Sequence, residues 1–451
     1  MNNNNLLSKE IALLLASSLL AGSASAQQGS SGEDMLFSDS DMFSGLTSET
    51  ATSDEKSFLE AYVLDPSRVT LSHELGYKVA DPDGMQKNRS SIRIEYGKYL
   101  FDSSYIQLDG KSTRFHEDDH RHEAEGSYER LNQAYIQTSF GQTSIKLGVQ
   151  TIAWGESILA PITDEISPRD NRELFNLDLE ELRIGQAMLS LDQFSDYGKW
   201  SIFINPDPEF NENPIYGTAY NPISDVPQPA FVYVDNDNSM EYGGSWKQTF
   251  GSFEFSAMAA SLIDNDYARK FNSEGLIELS EHRYFLGGAT FNYVLGDFLL
   301  KGEFGYKSPK VFSNKTGDQL IEKKQFDAYL GIEYAPSSTF TMSVEGLNQH
   351  ILDWTQDIEG TPGAPGKKEN QQSLMLNITK LLMHENLSLN FISIYNGPQS
   401  SYLSMFLTDY EMSDNITLEL DFIYPHTDDE MSTLWRVKDQ KQVSFKVSYQ
   451  F

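Results

Sequence analysis

The stretch with the spacing of a metal site starts at Phe115 and reads Phe-His-Glu-Asp-Asp-His-Arg-His-Glu. His116 and His120 have the H-E-x-x-H spacing, which in zinc proteases places two histidines on one helical face with the glutamate as general base. His122 adds a third nitrogen donor. Because acids fill the middle and no apolar face is present to bury a helix, we predict a solvated acidic loop. We expect no metal, and the three histidines stay candidates for a divalent cation bound in that loop.

No other stretch has the spacing of a catalytic motif. The sequence lacks a G-x-S-x-G, a P-loop and a dinucleotide-binding fingerprint, and it contains no cysteine, which removes thiolate chemistry and disulfides. We therefore predict no catalytic residue and no cofactor. A hydrolase that uses His/Ser or Asp/His sets on a membrane-embedded barrel stays open as an alternative, because eight histidines and many serines supply such pairs.

The most distinctive segment runs from Leu147 to Gly185. A strand pattern leads into a Trp-Gly-Glu-Ser core, a Ser-Pro-Arg-Asp turn follows, and residues 171–182 predict a short amphipathic helix. Arginine binds carboxylates bidentately, so two arginines among several acids could pin this segment to acids inside a barrel. We predict an in-folded loop that narrows a pore, with a plain surface loop as the alternative. The residues of the predicted constriction are Trp154, Gly155, Glu156, Asp164, Pro168, Arg169, Asp170, Arg172 and Glu173.

Apolar and polar residues alternate in many stretches from Arg68 onward, and residues 416–424 are one clear example. Such two-faced strands suit a wall between lipid and water, and short turns alternate with long polar loops as in outer-membrane barrels. The sequence predicts an all-β fold, a transmembrane antiparallel β-barrel of about 18 strands, with 16 as the alternative. The residues predicted to line the lumen are Arg93, Glu95, Lys301, Glu303, Glu333, Glu345, Glu419 and Asp421.

The last eleven residues, Lys441 to Phe451, alternate strictly, with Val, Phe, Val, Tyr and Phe on one face. A soluble sandwich can also end on such a strand. This strand resembles the closing strand of bacterial outer-membrane barrels, whose C-terminal aromatic is recognised by the barrel-assembly machinery. On that resemblance, Tyr449 and Phe451 form the assembly signal.

The N-terminal region predicts export. Residues 1–26 read as a signal peptide, with Lys9, a short apolar core and an Ala-Ser-Ala cleavage site. Residues 27–66 are acidic and rich in Ser, Thr and Gly, which predicts a flexible periplasmic leader, and residues 67–451 are the barrel. We therefore expect the mature protein in the outer membrane of a Gram-negative bacterium, in contact with its lipid.

Composition excludes two other classes of protein. A net charge of −32 argues against a nucleic-acid partner. No mature segment approaches the roughly 20 apolar residues of a spanning helix, and the mean hydropathy is −0.45. Aromatic residues nevertheless make up 12% of the chain, and this combination is typical of a barrel, since half of each strand faces water.

Residues 147–185 are similar to the corresponding segment of an uncharacterised family of proteobacterial outer-membrane barrels. The shared pattern is the Trp-Gly-Glu-Ser core, a spaced P-x-x-D-x-x-(S/N)-P-R-D and an Arg-Glu pair, and the leader Asp34-Met35-Leu36-Phe37 also matches. Glu156 and Ser157 depart from the lysine and the small or acidic residue of many relatives, and Ser167 replaces an asparagine, so the charge of the pore can differ from theirs. Many members are encoded beside RND-type (MMPL-like) exporters, which implies passage of hydrophobic or lipid-like compounds.

The first functional hypothesis is therefore a non-enzymatic outer-membrane channel or export conduit for small solutes, including hydrophobic or lipid-like ones, that works with an inner-membrane exporter. The first alternative is a barrel-embedded hydrolase acting on lipid or peptide. The second is a plugged structural or surface-binding barrel. If the predicted lumen acids line an open pore, it should prefer cations.

Overall fold

The computed structural model describes residues 67–101, 103–157, 162–176, 179–221, 230–234, 240–361 and 364–451. The described residues form one unit, Ser67–Phe451. The predicted signal peptide and leader, residues 1–66, lie outside them. No helix in this part of the chain is long and apolar enough to cross a membrane.

Eighteen strands of the described residues form one antiparallel sheet. Its strands are β1 (Ser67–Lys78), β2 (Gly84–Phe101), β3 (Ser104–Phe115), β4 (Ser127–Phe140), β5 (Thr143–Gln150), β6 (Gln186–Ser195), β7 (Gly198–Asn205), β9 (Glu241–Phe250), β10 (Phe253–Ile263), β13 (Arg283–Leu295), β14 (Phe298–Ser313), β15 (Leu320–Ser337), β16 (Phe340–Leu352), β19 (Asn370–Leu382), β20 (Leu387–Gly397), β21 (Ser401–Ser413), β22 (Ile416–Thr427) and β23 (Gln442–Gln450).

The sheet closes on itself. Each of these strands pairs with the next one along the chain, and β23 pairs with β1, where Tyr449 lies opposite Leu71. Closure removes the unpaired strand edges that lipid could not hydrogen-bond. The predicted all-β barrel of about 18 strands is confirmed, and the alternative count of 16 is wrong.

The remaining elements lie in the connections between barrel strands. Strands β8 (Phe231–Val234), β11 (Ala268–Phe271) and β12 (Ile277–Ser280) form a three-stranded sheet, and β17 (Gly360–Thr361) pairs with β18 (Ala364–Pro365). One α-helical turn spans Leu179–Leu182, and two 3-10 turns span Gln356–Ile358 and Trp435–Val437.

Short and long connections lie at opposite ends of the barrel. Two-residue turns join β4 to β5 and β9 to β10, and their glycines Gly141 and Gly251 have φ near 60°, a conformation that glycine adopts without strain. The long connections include residues 116–126, 151–185 and 206–240. When the 18 barrel strands are counted in chain order, each long connection follows an odd-numbered strand, so all of them lie at the other end of the barrel. This is the asymmetry of outer-membrane barrels.

The two faces of each strand differ in chemistry. In β22, the side chains of Leu420, Phe422 and Tyr424 are exposed on the outer face, whereas Glu419 and Asp421 occupy the inner face and are only partly exposed. The period of two in the sequence therefore separates a lipid-compatible exterior from a polar interior.

The connection between β5 and β6, residues 151–185, is the inner loop. It contacts Glu303 on β14 through Glu156 and contacts Arg89 on β2 through Glu173, so it crosses the interior of the barrel. The predicted helix over 171–182 is confined to Leu179–Leu182. Arg172 and Glu173 lie outside this turn, and their side chains bind Glu212 and Arg89 on separate elements.

Candidate functional site: the lumen and its inner loop

Glu303 on β14 anchors the inner loop to the barrel wall. Its fully buried carboxylate accepts backbone N–H bonds from Glu156 at 3.0 Å, Ser157 at 3.3 Å, Ile162 at 3.0 Å and Thr163 at 2.6 Å. The hydroxyl of Thr163 donates a further bond at 2.7 Å. Successive N–H groups that converge on an anion form a nest, so this carboxylate fixes the backbone at residues 156–157 and at residues 162–163.

Gly155 permits this approach. Its φ is 96°, and a Cβ at this position would lie 2.5 Å from Oε1 of Glu303. A larger residue would therefore strain the backbone and displace the carboxylate. Trp154 beside it is buried inside the barrel, where its ring packs edge-on against Phe203 with centroids 5.7 Å apart. The aromatic pair holds the first turn of the inner loop against the inner face of β7.

Asp164 organises the loop internally. Its carboxylate accepts the backbone N–H of Trp154 at 3.1 Å and receives Arg183 at 2.9 and 3.0 Å and Arg169 at 3.2 Å. Ile184 then donates to the carbonyl of Pro168 at 2.7 Å. The beginning and the end of the inner loop are thus joined by contacts within the loop itself.

Glu165 makes the second attachment to the wall. It accepts the Lys307 ammonium at 2.7 Å and the Tyr284 hydroxyl at 2.7 Å. Burial alone would raise the pKa of Glu165, but the charges of Lys307 and Lys310 lower that pKa to about 2. Lys307 also contacts Asp327 at 3.2 Å, so a buried ammonium joins a loop acid to a wall acid.

Glu173 attaches the opposite side of the loop. It accepts Arg89 on β2 at 2.8 Å and lies 3.2 Å from Nε2 of His120. Burial opposes ionisation, yet the charges of Arg89 and Lys87 hold the pKa of Glu173 well below its ordinary value. Arg89 binds Asp119 as well at 2.8 Å. The loop is therefore an ionic bridge from β13–β15 to β2.

Arg172 joins three connections rather than loop and wall. It binds Asp170 at 2.7 Å, Glu125 of the β3–β4 connection at 3.0 Å and Glu212 of the β7–β9 connection at 2.5 Å. Its guanidinium carbon lies 3.7 Å from the ring centroid of Tyr128. The two predicted arginines thus pair with acids in connections, whereas wall residues that include Glu303, Lys307 and Arg89 bind the loop.

The three histidines of the H-E-x-x-H stretch point to different partners. Nε2 of His116 lies 3.0 Å from the hydroxyl of Ser90, His120 contacts Glu173, and Nδ1 of His122 donates to the carbonyl of Phe115 at 2.9 Å. Within the described ranges, no group of three or more His, Asp or Glu side chains has the arrangement of a metal site.

The predicted lumen residues share the inner face with Glu303. Arg93 binds Asp109 at 2.7 Å and lies 3.7 Å from Glu95. Lys301 pairs with Glu333 at 3.2 Å, and Glu419 pairs with Lys446 at 3.0 Å. Glu345 is buried, whereas Asp421 borders a cavity.

Sequence reasoning did not single out Glu74, Lys87 and Arg89. Lys87 and Arg89 occupy the inner face of β2 at alternate positions from Arg93, and Lys87 binds Glu74 of β1 at 2.9 Å. Both basic residues continue the alternation of Arg93 and Glu95 toward the start of β2, and this pattern was the signal that could have identified them.

An apolar patch interrupts the polar lumen. In the cross-strand register, Met375 faces Ile394, Ile394 faces Leu403, and Met405 lies between Ile392 and Ile423. Phe175 of the inner loop and Tyr220 of the β7–β9 connection pack on this patch, with their rings 5.4 Å apart. The lumen patch comprises Met375, Ile392, Ile394, Leu403, Met405, Leu407 and Ile423.

Two cavities flank the inner loop inside the barrel. The larger, about 660 Å³, extends from the paired charges of β1–β3 to the lower edge of the lumen patch, beneath Phe175 and Tyr220. The smaller, about 370 Å³, lies beside Trp154 and is lined by lysines and by serines of β6, β7, β9 and β10. Among the described residues, the arrangement is therefore a divided lumen with one amphipathic chamber.

A closed antiparallel barrel of 18 strands with a loop folded into its lumen defines a porin-like β-barrel. The chain belongs to the family described as "Protein of unknown function (DUF1302)", whose family model matches residues 77–429. Membership confirms the resemblance to an uncharacterised family. No curated protein gives a significant match to the chain.

Solved structures share the fold at low identity. OccAB4 of Acinetobacter baumannii is 11% identical, with a TM-score of 0.51 over 85% of this chain and 97% of that one. OccAB1 of the same organism is 9% identical, with a TM-score of 0.51 over 85% and 96%. OccK8 (OprE) of Pseudomonas aeruginosa is 8% identical, with a TM-score of 0.50 over 86% and 98%. At these identities the likeness shows the barrel fold alone.

Proposed function

We propose that this protein is a non-enzymatic outer-membrane channel or export conduit for small solutes, including hydrophobic or lipid-like ones. The observation that carries the proposal is the lumen patch at the edge of the larger cavity. In the structure Phe175 and Tyr220 cover this patch, and Met375 and Met405 are almost fully buried. Exposing such a surface to water when the inner loop moves aside costs about 25 cal/mol per Å². A solute with an apolar part would cover that surface during passage.

The inner loop acts as the gate of this channel. Its attachments to Glu303 and Lys307 on one side and to Arg89 on the other narrow the lumen. Passage requires one of these sides to release, and a charged group of the solute that replaces the lost partner would offset the cost of leaving a buried charge unpaired. The same contacts favour one alternative, a plugged structural or surface-binding barrel in which neither side releases.

Proteoliposomes test the proposal. The flux of a small hydrophobic solute, indole, is compared with that of a sugar of similar size, using folded protein. Ile423→Thr makes the lumen patch polar, whereas Ile423→Val has the same shape as threonine and stays apolar. The flux in liposomes without protein is subtracted as background. We then expect indole flux to fall several-fold in Ile423→Thr and to stay at the wild-type level in Ile423→Val. Equal indole flux in both variants, or no flux above the protein-free control, would reject the proposal.

The partner in this proposal is an RND-type exporter in the inner membrane, as the family resemblance suggests. Export would follow processing of the predicted signal peptide and assembly by the barrel-assembly machinery. Crosslinking in whole cells, followed by purification of the barrel, should recover an RND-type exporter. Recovery of barrel-assembly proteins without any exporter would count against the partnership.

A further inference from the structure

We propose that the larger cavity binds an organic cation, an amine with a small apolar body. The inference rests on the proposed passage of partly hydrophobic solutes and names their chemical class. It arises from an excess of hydrogen-bond acceptors that face the cavity beside the lumen patch.

Two carboxylates of the cavity have no direct partner among the described residues, although the charges of Lys446 and Lys87 act on Asp409 and Asp421 from beyond ion-pair distance. Asp409 and Asp421 both line it, and neither forms a hydrogen bond or an ion pair there. They occupy adjacent strands, since Asp421 lies opposite Leu407 and Asp409 lies opposite Glu419. Their charges therefore act on the same small volume.

Three amide oxygens add to this excess. Gln442 is 2% exposed and donates its amide N–H to the Tyr220 hydroxyl at 3.1 Å, yet its Oε1 has no donor in the described structure. The Oδ1 atoms of Asn377 and Asn390 are buried without a donor in the same way, and all three residues line the cavity. Leaving buried acceptors unpaired is costly, so the site suits a ligand rich in N–H donors.

The other charges of the cavity are already matched. Glu74 binds Lys87 at 2.9 Å, Glu173 binds Arg89 at 2.8 Å, and Glu419 binds Lys446 at 3.0 Å. An anionic ligand would have to break these pairs to reach a cation. A cationic ligand meets Asp409 and Asp421 without displacing any contact.

The apolar body of the ligand has a surface beside these acceptors. On the inner face, the row that contains Asn390, Leu407 and Asp421 is followed by the row of Ile392, Met405 and Ile423. The rings of Phe175 and Tyr220 form the roof of the cavity and also offer faces to a cation. About 660 Å³ is within the range of small-molecule sites.

Calorimetry with folded protein in phosphatidylcholine nanodiscs tests this site, with empty nanodiscs as the blank. The probes are 4-phenylbutylamine, its anionic counterpart 4-phenylbutyrate, and methylamine, which lacks the apolar body. The variants are Asp421→Asn and Asp409→Asn. Asp192→Asn is the matched control, because Asp192 lines the smaller cavity and pairs with Lys199 at 3.0 Å.

We expect 4-phenylbutylamine to bind at least about tenfold more tightly than the other two probes. Each cavity variant should weaken it about tenfold or more, since a charge-assisted hydrogen bond is lost. The control should bind it unchanged. Equal affinity for amine and carboxylate, equal affinity for methylamine, or unchanged binding in both cavity variants would overturn the proposal. Amine binding without solute flux would reject the proposed channel but support this site. Solute flux without a preference for the amine would support the channel but reject this site.

Discussion

The carboxylate of Glu303 accepts both the backbone N–H and the hydroxyl of Thr163, at 2.6 and 2.7 Å. Glu303 belongs to the barrel wall and Thr163 to the inner loop, so one buried side chain fixes the position of a segment that crosses the lumen. Hydrogen bonds to charged groups contribute about 1.5–3 kcal/mol each, so these bonds hold the loop firmly against the wall.

Glu303→Gln should therefore loosen the inner loop. The glutamine keeps the shape of the side chain, but it loses the charge and turns an NH₂ group toward backbone N–H donors. We expect cells to become several-fold more sensitive to vancomycin, a bulky antibiotic that intact barrels exclude, with normal yield of folded protein. Glu333→Gln is the control, because Glu333 pairs with Lys301 on the same wall. Equal sensitivity in both variants would show that Glu303 does not hold a gate.

Acid should release the loop at the Glu165–Lys307 contact. The pKa of Glu165 is lowered to about 2, below its ordinary value, so its stabilisation is complete above pH 4.5 and is lost as pH falls toward 2. The difference corresponds to about 3 kcal/mol. Asp264, Asp327, Lys310 and the Tyr284 hydroxyl also face this contact.

Lys307→Met should move that release to higher pH, because Glu165 would remain buried without its ammonium partner. Channel conductance recorded between pH 7 and 3 measures the shift, because Lys307→Met should release the loop within this range and the wild type only below it. Lys301→Met is the control, since Lys301 binds Glu333 away from Glu165. If conductance changes at the same pH in both variants, the Glu165–Lys307 pair does not hold the loop.

Much of the fold follows from local patterns in the sequence. Alternation at residues 416–424 separates inner Glu419 and Asp421 from outer Leu420 and Phe422, and a barrel repeats that rule in each strand. The strand count follows because short turns carry glycine or other turn residues. The contact of Phe451 with Val69 is not local, but closure requires the last strand to pair with the first.

The interior of the loop could not be derived in the same way. The sequence shows two arginines beside several acids, but not which acids they reach. Arg172 binds Glu125 and Glu212, residues far apart in the sequence. Glu303 binds backbone N–H groups, which carry no side-chain signal. The apolar patch also escaped notice, because inner isoleucines and leucines alternate with outer apolar residues and hide the period of two.

Replacing Arg172 with alanine should separate three connections at once. It removes the ion pairs with Asp170, Glu125 and Glu212 and leaves these acids close together, so we expect a larger rise in conductance than from Arg169→Ala. Arg183 also binds Asp164 and would partly replace Arg169. Arg114→Ala, at an exposed site on β3, is the control. If conductance stays unchanged in Arg172→Ala, the connections do not restrict the pore.

Deleting Phe451 should impair barrel assembly. Its backbone N–H and carbonyl both bond to Val69, at 3.0 and 2.9 Å, and its ring lies 5.8 Å from that of Tyr449. Loss of these contacts weakens closure and removes the terminal aromatic of the predicted assembly signal. Heat-modifiable migration should show at least a several-fold lower folded yield, while Phe451→Tyr should assemble normally. Equal folded yields of the deletion variant and the wild type would show that assembly does not depend on Phe451.

Planar-bilayer recording tests the central claim, that the barrel conducts small solutes through a gated and acidic lumen. Folded wild-type protein and Glu303→Gln are compared in a KCl gradient, with Glu333→Gln as the control. We predict discrete conductance steps that increase in Glu303→Gln, and a reversal potential that favours K⁺ because Asp409 and Asp421 form no ion pair in the described lumen. The preference should shrink at high salt, where charges are screened within a few ångströms. Absence of steps in both folded proteins, or a preference for Cl⁻, would contradict this account.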